Sequence, residues 1–185
     1  MLVAEAEQTA LAGVRDEITH VLETNERYTP PDVLDVVRLL SPIAYDPCTP
    51  SHNPCGALRF TSPPSDGLQV SWLGLSRRGL IFVNPPYSRG QLVQWVRKAL
   101  REAKRGCEIV MLLPQDLGTV WGQLLIRNTQ GICFWKGRIS YIRPDGNYDA
   151  GAKQPSLFGY FGPRAWGFHN AFAPHGAVLT RGAWG

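Results

Sequence analysis

The run "GLIFVNPPYS", Gly79 to Ser88, restricts the fold more than any other stretch of the chain. Leu80 to Val83 is apolar at every position, the composition of a strand buried in a core. It stops at Asn84, whose amide carries two donor hydrogens and an acceptor, and then at Pro85 and Pro86, which have no N–H to give. The two prolines keep the main chain extended and leave the Pro85 carbonyl free to accept beside the acceptor of Asn84. Two converging acceptors at a strand end suit the hydrogens of a planar NH2 group, and Tyr87 offers a ring face for stacking. A rigid strand-to-helix turn would explain the prolines but neither the Asn nor the Tyr.

The flanking pattern says which kind of sheet holds that strand. Residues 4–24 place Leu11, Val14, Ile18 and Val21 at helical spacing, an amphipathic helix that packs on the domain or offers a homodimer surface. In "YTPPDVLDVVRLL" Thr29 is positioned to cap a helix with Pro30 and Pro31 in its first turn, and Val33, Leu34, Val37 and Leu40 form its apolar face. A short strand follows at 43–45, running into a loop that starts at Asp46, and a second strand is predicted near 57–61. Residues 62–79 are turn-rich. After the prolines, Leu92, Val93, Val96 and Leu100 describe a helix that ends at Gly106, "EIVMLLP" is a buried strand and "VWGQLLIRN" a short helix. "GICFWKGRISYI" and "SLFGYFG" are two further strands around the polar segment "RPDGNYDAGAKQP". Alternating strands and helices followed by two adjacent strands predict an α/β fold, a mainly parallel central sheet with a C-terminal antiparallel hairpin. Residues 163–185, rich in Gly, Pro and aromatic side chains, are expected to form a loosely ordered tail behind a domain spanning 26–162.

At 185 residues the chain can bury one full core, and one domain is the expectation. Its net charge of +4 is compatible with a polyanionic partner without requiring one. Glu5 and Glu7 stand where a signal peptide needs basic residues, and no apolar run is long enough for a membrane span, so a cytoplasmic protein is expected. The four cysteines lack disulfide-like spacing. Cys48, His52 and Cys55 have no fourth ligand at zinc-like spacing, so no metal is expected.

In open α/β sheets ligands bind beyond the carboxyl ends of the strands, where Asp46 and Asn84 both fall. Here "FVNPPYS" resembles the catalytic motif of amino-group methyltransferases that use S-adenosylmethionine. The order "YTPPDVL", "YDPCTPSHNP", "DGLQVSW", "FVNPPYS", "VRKALREAKRG", "VMLLPQDLGTVW", "FWKGRISYI" and "PSLFGYFG" is similar to the small phage-type, Dam-like DNA adenine methyltransferases. The resemblance implies a Rossmann-like methyltransferase fold and an adenine-specific DNA methyltransferase that takes its methyl group from S-adenosylmethionine. It implies catalytic roles for Asn84, Pro85, Pro86 and Tyr87, and a cofactor site at Tyr28, Thr29, Pro30, Asp46, Pro47, Cys48, Asn53 and Asp66. "DPCTPSHNP" departs from the family's wider pattern by having no glycine after the first strand.

A target amine inside a duplex must be flipped out, and Tyr87 would then stack on the base. Arg77, Arg78, Arg89, Arg138, Arg143 and Lys153 lie in or beside loops at the predicted strand ends and are the candidates for DNA phosphates. The leftover segments are too short to form a recognition domain, which implies relaxed sequence specificity. Two other classes share the motif or fold: a methyltransferase acting on a protein glutamine or on RNA, and an inactive DNA-binding module.

Overall fold

Strands β1 (Ile43–Asp46), β3 (Leu80–Val83) and β4 (Ile109–Pro114) are buried along their whole length, so the sheet they form must be covered on both faces. Successive side chains point to opposite faces, and the core divides accordingly. Leu80, Phe82, Val110 and Leu112 pack under α1 (Pro31–Arg38) and α4 (Ala165–Phe172), against Val33, Leu34, Val37, Phe168 and Phe172. Ile81, Val83, Ile109, Met111 and Leu113 pack under α2 (Gln91–Lys104) and α3 (Val120–Asn128), against Trp95, Val96, Trp121 and Leu125. This computed structural model describes residues 27–87, 90–149 and 154–181. The helix expected at 4–24, with its homodimer surface, lies outside the described residues, as do Arg89 and Lys153.

The described residues form a seven-stranded sheet in the order β2-β1-β3-β4-β6-β5-β7. The first four strands in that order, with β2 at Arg59–Phe60, are parallel. β6 (Ser156–Phe161) lies antiparallel between β4 and β5 (Gly131–Trp135), with Ile109 opposite Phe161 and Pro114 opposite Ser156. The α/β class, the parallel core and the antiparallel C-terminal part therefore agree with expectation.

Three local expectations change. The described part of 163–185 is ordered: α4 packs Phe168 on the Tyr160 ring, centroids 5.1 Å apart, and β7 (Gly176–Thr180) pairs antiparallel with β5. Its signal was weak because β7 is an edge strand, half-covered along its length. The strand near 57–61 shortens to Arg59–Phe60, both exposed. Thr29 does not cap α1; the capping position is Pro30, without a side-chain bond, because the Thr29 hydroxyl is engaged by Asn84.

Candidate active site

Parallel pairing of β1 with β3 brings Asp46 and Asn84 out at the same end of the sheet. Cys48 joins them: its N–H donates to Asp46 Oδ1 at 3.0 Å, and its thiol lies beside both the Asp46 carboxylate and the Asn84 N–H. Burial, and then that carboxylate, push the thiol well above its ordinary range. Cys48 is therefore a packed, un-ionised side chain.

Asn84 Nδ2 donates to Thr29 Oγ1 at 3.1 Å and to the Arg27 carbonyl at 3.3 Å. Both contacts consume the donor end of the amide, so the atom left for a ligand is the acceptor Oδ1, which has no partner among the described residues. The Pro85 carbonyl accepts no hydrogen bond among them either. Tyr87 is 44% exposed, but its hydroxyl is tucked in, donating to the Leu112 carbonyl at 3.3 Å beside the Tyr141 hydroxyl. Burial of that end drives the phenol well above its usual range. The far end of the ring is thus anchored while the ring itself meets solvent. Tyr141 shares a 3.3 Å contact with Ser156 Oγ, extending the anchor to the start of β6.

The acceptors of Asn84 owe their position to the segment before α1. Tyr28 pairs with Ile142 through backbone bonds of 2.8 and 3.0 Å, and Arg27 forms an ion pair with Asp149. Hence the loop after β5 clamps the Arg27–Thr29 strip against Asn84. The Tyr28 ring meets the His52 ring edge-on at 4.9 Å, which brings the loop after β1 to the same place. Arg27 and Tyr141 were not singled out from the sequence, and His52 was weighed only as a metal ligand: Arg27 works through its carbonyl, which no motif marks, and the other two act through ring and hydroxyl contacts made only in the fold.

Asp46 is buried, and its carboxyl pKa is raised to about 6. Burial is the largest cause; donors from Cys48 and from the Cys55 thiol, at 3.1 Å from Oδ2, pull it part of the way back. A raised carboxyl stabilises the fold below its unfolded value near 3.8, and that contribution is lost as pH climbs to about 6. An ionised Asp46 at neutral pH therefore gains from any bound donor. Pro47 carries a close neighbour, since a Cβ on Gly67 would lie 1.9 Å from the Pro47 carbonyl oxygen, so the Asp66–Gly67 turn crosses directly over the end of β1. Asp66 is exposed there and accepts from Leu68 N–H at 2.8 Å. Asn53, at φ 50°, closes its own loop: its amide donates to the Ala57 carbonyl and accepts from the Ala57 N–H.

The cations divide. Arg138 and Arg143 sit in the clamp loop at the carboxyl end of the sheet, Arg143 with its Nε 3.7 Å from Asp145. Arg77 and Arg78 come immediately before β3 and so lie at the opposite end from Asn84, a four-residue strand or about 13 Å away. Among the described residues no three His, Cys, Asp or Glu side chains converge as a metal ion would need, and no helix is long and apolar enough to cross a membrane.

No curated protein matches the chain. Residues 25–158, which run from the Arg27–Thr29 strip into the first half of β6, match the profile of one family. With well over half its length covered, the chain belongs to the DNA N-6-adenine-methyltransferase (Dam) family.

Proposed function

We propose that the protein transfers a methyl group from S-adenosylmethionine to the exocyclic amine of adenine in DNA, in many sequence contexts. The observation that carries this reading is the state of Asn84: Nδ2 is committed to Thr29 and Arg27, and the free acceptors are Oδ1 and the Pro85 carbonyl. An adenine amine offers two hydrogens and a lone pair delocalised into the ring. Accepting both hydrogens favours a more tetrahedral nitrogen and aims its lone pair, so catalysis rests on positioning. No general base is needed before attack, in keeping with the absence of any His or Glu next to the motif.

The residues at the end of β1 fit the cofactor. The Asp46 carboxylate accepts from the Cys48 N–H and from the Cys48 and Cys55 thiols, and with about four acceptor sites keeps capacity for a ligand hydroxyl or ammonium donor. Asp46, with Tyr28, Thr29, Pro30, Pro47, Cys48 and Asp66 around it, would hold S-adenosylmethionine, which supplies an electrophilic sulfonium methyl. Tyr87, fixed at its hydroxyl, would stack on the flipped base. Arg138 and Arg143 are placed to meet the phosphates around it; Arg77 and Arg78 could do so only where DNA reaches the far end of the sheet.

A direct assay separates the substrate classes. The protein is incubated with labelled S-adenosylmethionine and, separately, DNA, RNA and protein extract, and the product is identified by mass spectrometry. Label in N6-methyladenine of DNA is the expected result; label in glutamine or RNA, or none, would overturn the reading. Methylated positions should be spread over many contexts, because among the described residues α4 and β7 take up most of 163–181 and only loops are left to read bases. Activity should fall steeply with salt. Sequencing that confines methylation to one site of four or more base pairs would refute relaxed specificity.

Asp46 yields a pH prediction. A donor bound to the carboxylate lowers its pKa from about 6, so cofactor affinity should rise as pH increases toward 6 and level off above it. Asp46→Ala should weaken binding by about 1–3 kcal/mol at neutral pH. Calorimetry that finds unchanged affinity, or a profile flat through pH 6, would move the cofactor elsewhere.

A further inference from the structure

A cavity of about 400 Å³ opens beside the catalytic strip, between the start of α1 and the clamp loop. Pro30 in its wall follows Thr29, which holds Asn84; Tyr148 in the opposite wall pairs with Ile142, which pairs with Tyr28. On the first side Thr29 alone separates the cavity from Asn84; on the second Ile142 separates it from Tyr28, the neighbour of Thr29. Its lining mixes chemistry in a way a packing defect does not: Asp32, Arg138, Ser140 and Tyr148 bring a carboxylate, a guanidinium, a hydroxyl and a phenol ring into one space. Asp32 is exposed and makes no ion pair or side-chain hydrogen bond among the described residues, and Tyr148 is 60% exposed. Trp135, by contrast, is already stacked on His175 and serves as wall.

We propose that this cavity is a second nucleotide subsite, taking the base next to the flipped adenine on the same strand. This rests on the proposed DNA activity. Tyr148 stacks on the neighbouring base, a contact open to every base. Arg138 meets its phosphate. Asp32 accepts from an exocyclic amine, which only adenine, cytosine and guanine carry, and so sets a mild preference against thymine. Relaxed specificity with one weak flanking preference follows from a single acidic reader over a non-selective platform.

The full chain is tested on synthetic duplexes with one adenine, each flank varied through the four bases and then replaced by an abasic site. Initial rates of methyl incorporation are read alongside equilibrium binding of the same duplexes in the presence of a non-reactive cofactor analogue. One flank is expected to disfavour thymine several-fold, and an abasic site there to raise KM for DNA about tenfold. Tyr148→Ala should give the same rise on intact DNA and lose the abasic penalty, Tyr148→Phe should restore both, and Asp32→Asn should erase the preference. Wild-type KM and wild-type flank preference in Tyr148→Ala and Asp32→Asn, with adenine still methylated, would overturn the subsite and leave the activity standing. Binding that keeps the abasic and Tyr148 effects without any methyl transfer would keep the subsite and overturn the activity. A chain that neither binds nor methylates the duplexes overturns both.

Discussion

Replacing Asn84 with alanine is expected to cut methyl transfer by about 10²–10³-fold or more, the scale of removing one preorganised polar group that acts on the reacting centre. Cofactor affinity should stay within a few fold, because Asp46, on the neighbouring strand, keeps its own partners Cys48 and Cys55. Asn84→Asp makes the test sharper. It keeps an oxygen acceptor but places a second oxygen where Nδ2 met the Arg27 carbonyl at 3.3 Å and the Thr29 hydroxyl at 3.1 Å. Thr29 can turn its hydroxyl to donate; the carbonyl cannot. Intermediate activity, above that of Asn84→Ala and below wild type, is the expected result. Single-turnover rates with labelled S-adenosylmethionine, alongside calorimetric binding, measure both quantities, and an alanine variant that retains most of its turnover would remove Asn84 from the chemistry.

Glu102→Ala is expected to destabilise the protein by about 3–5 kcal/mol, the cost of stranding a buried charge. Lys98 and Glu102 form an ion pair at 2.8 Å on α2, with side chains only 8% and 3% exposed. Lys98 also lies 5.5 Å from the Trp72 ring centre, and Trp72 in turn donates its indole N–H to the Gly67 carbonyl at 2.9 Å. Without Glu102 the ammonium keeps its desolvation and loses its partner. Since Gly67 sits against Pro47, the loss should also loosen the end of β1 proposed to hold the cofactor. Urea unfolding midpoints give the stability, and a double variant with Lys98→Met and Glu102→Leu should recover most of it, as isosteric apolar replacement of a buried pair often does. A Glu102→Ala midpoint equal to wild type would show that the pair contributes nothing.

The parallel half of the sheet was legible because its strands are apolar throughout and its helices carry regular stripes: Val33, Leu34 and Val37, or Leu92, Val96 and Ala99. The candidate site was legible for the same reason, since Asp46 ends β1 and Asn84 directly follows β3. What the sequence concealed are contacts between segments far apart in it. Asn84 to Thr29, Tyr28 to Ile142 and Arg27 to Asp149 have no local signature, so Thr29 read as a helix cap and Arg27 went unnoticed. Asn53 was matched to the cofactor on motif alone, and its side chain turns out to close its own loop. Arg77 and Arg78 read as loop cations at a strand end; one strand's direction decides which end, and it is the far one.

The position of β6 has a consequence for how the chain comes to life on the ribosome. β4 and β5 are both synthesised before residue 156, yet neither pairs with the other: each takes β6 as its neighbour, and β7 closes the outer edge last. A nascent chain that has reached residue 155 therefore holds β4 and β5 with open edges and the apolar face of Leu112, Cys133 and Val110 without Phe158, Phe168 or Phe172 to cover it. The parallel half, β2 to β4, can pair as it is made, but β5 has no place in the sheet until β6 is inserted between it and β4. Completion of the sheet therefore waits for Phe161, and the open edges of β4 and β5 expose the unfinished chain to association until then.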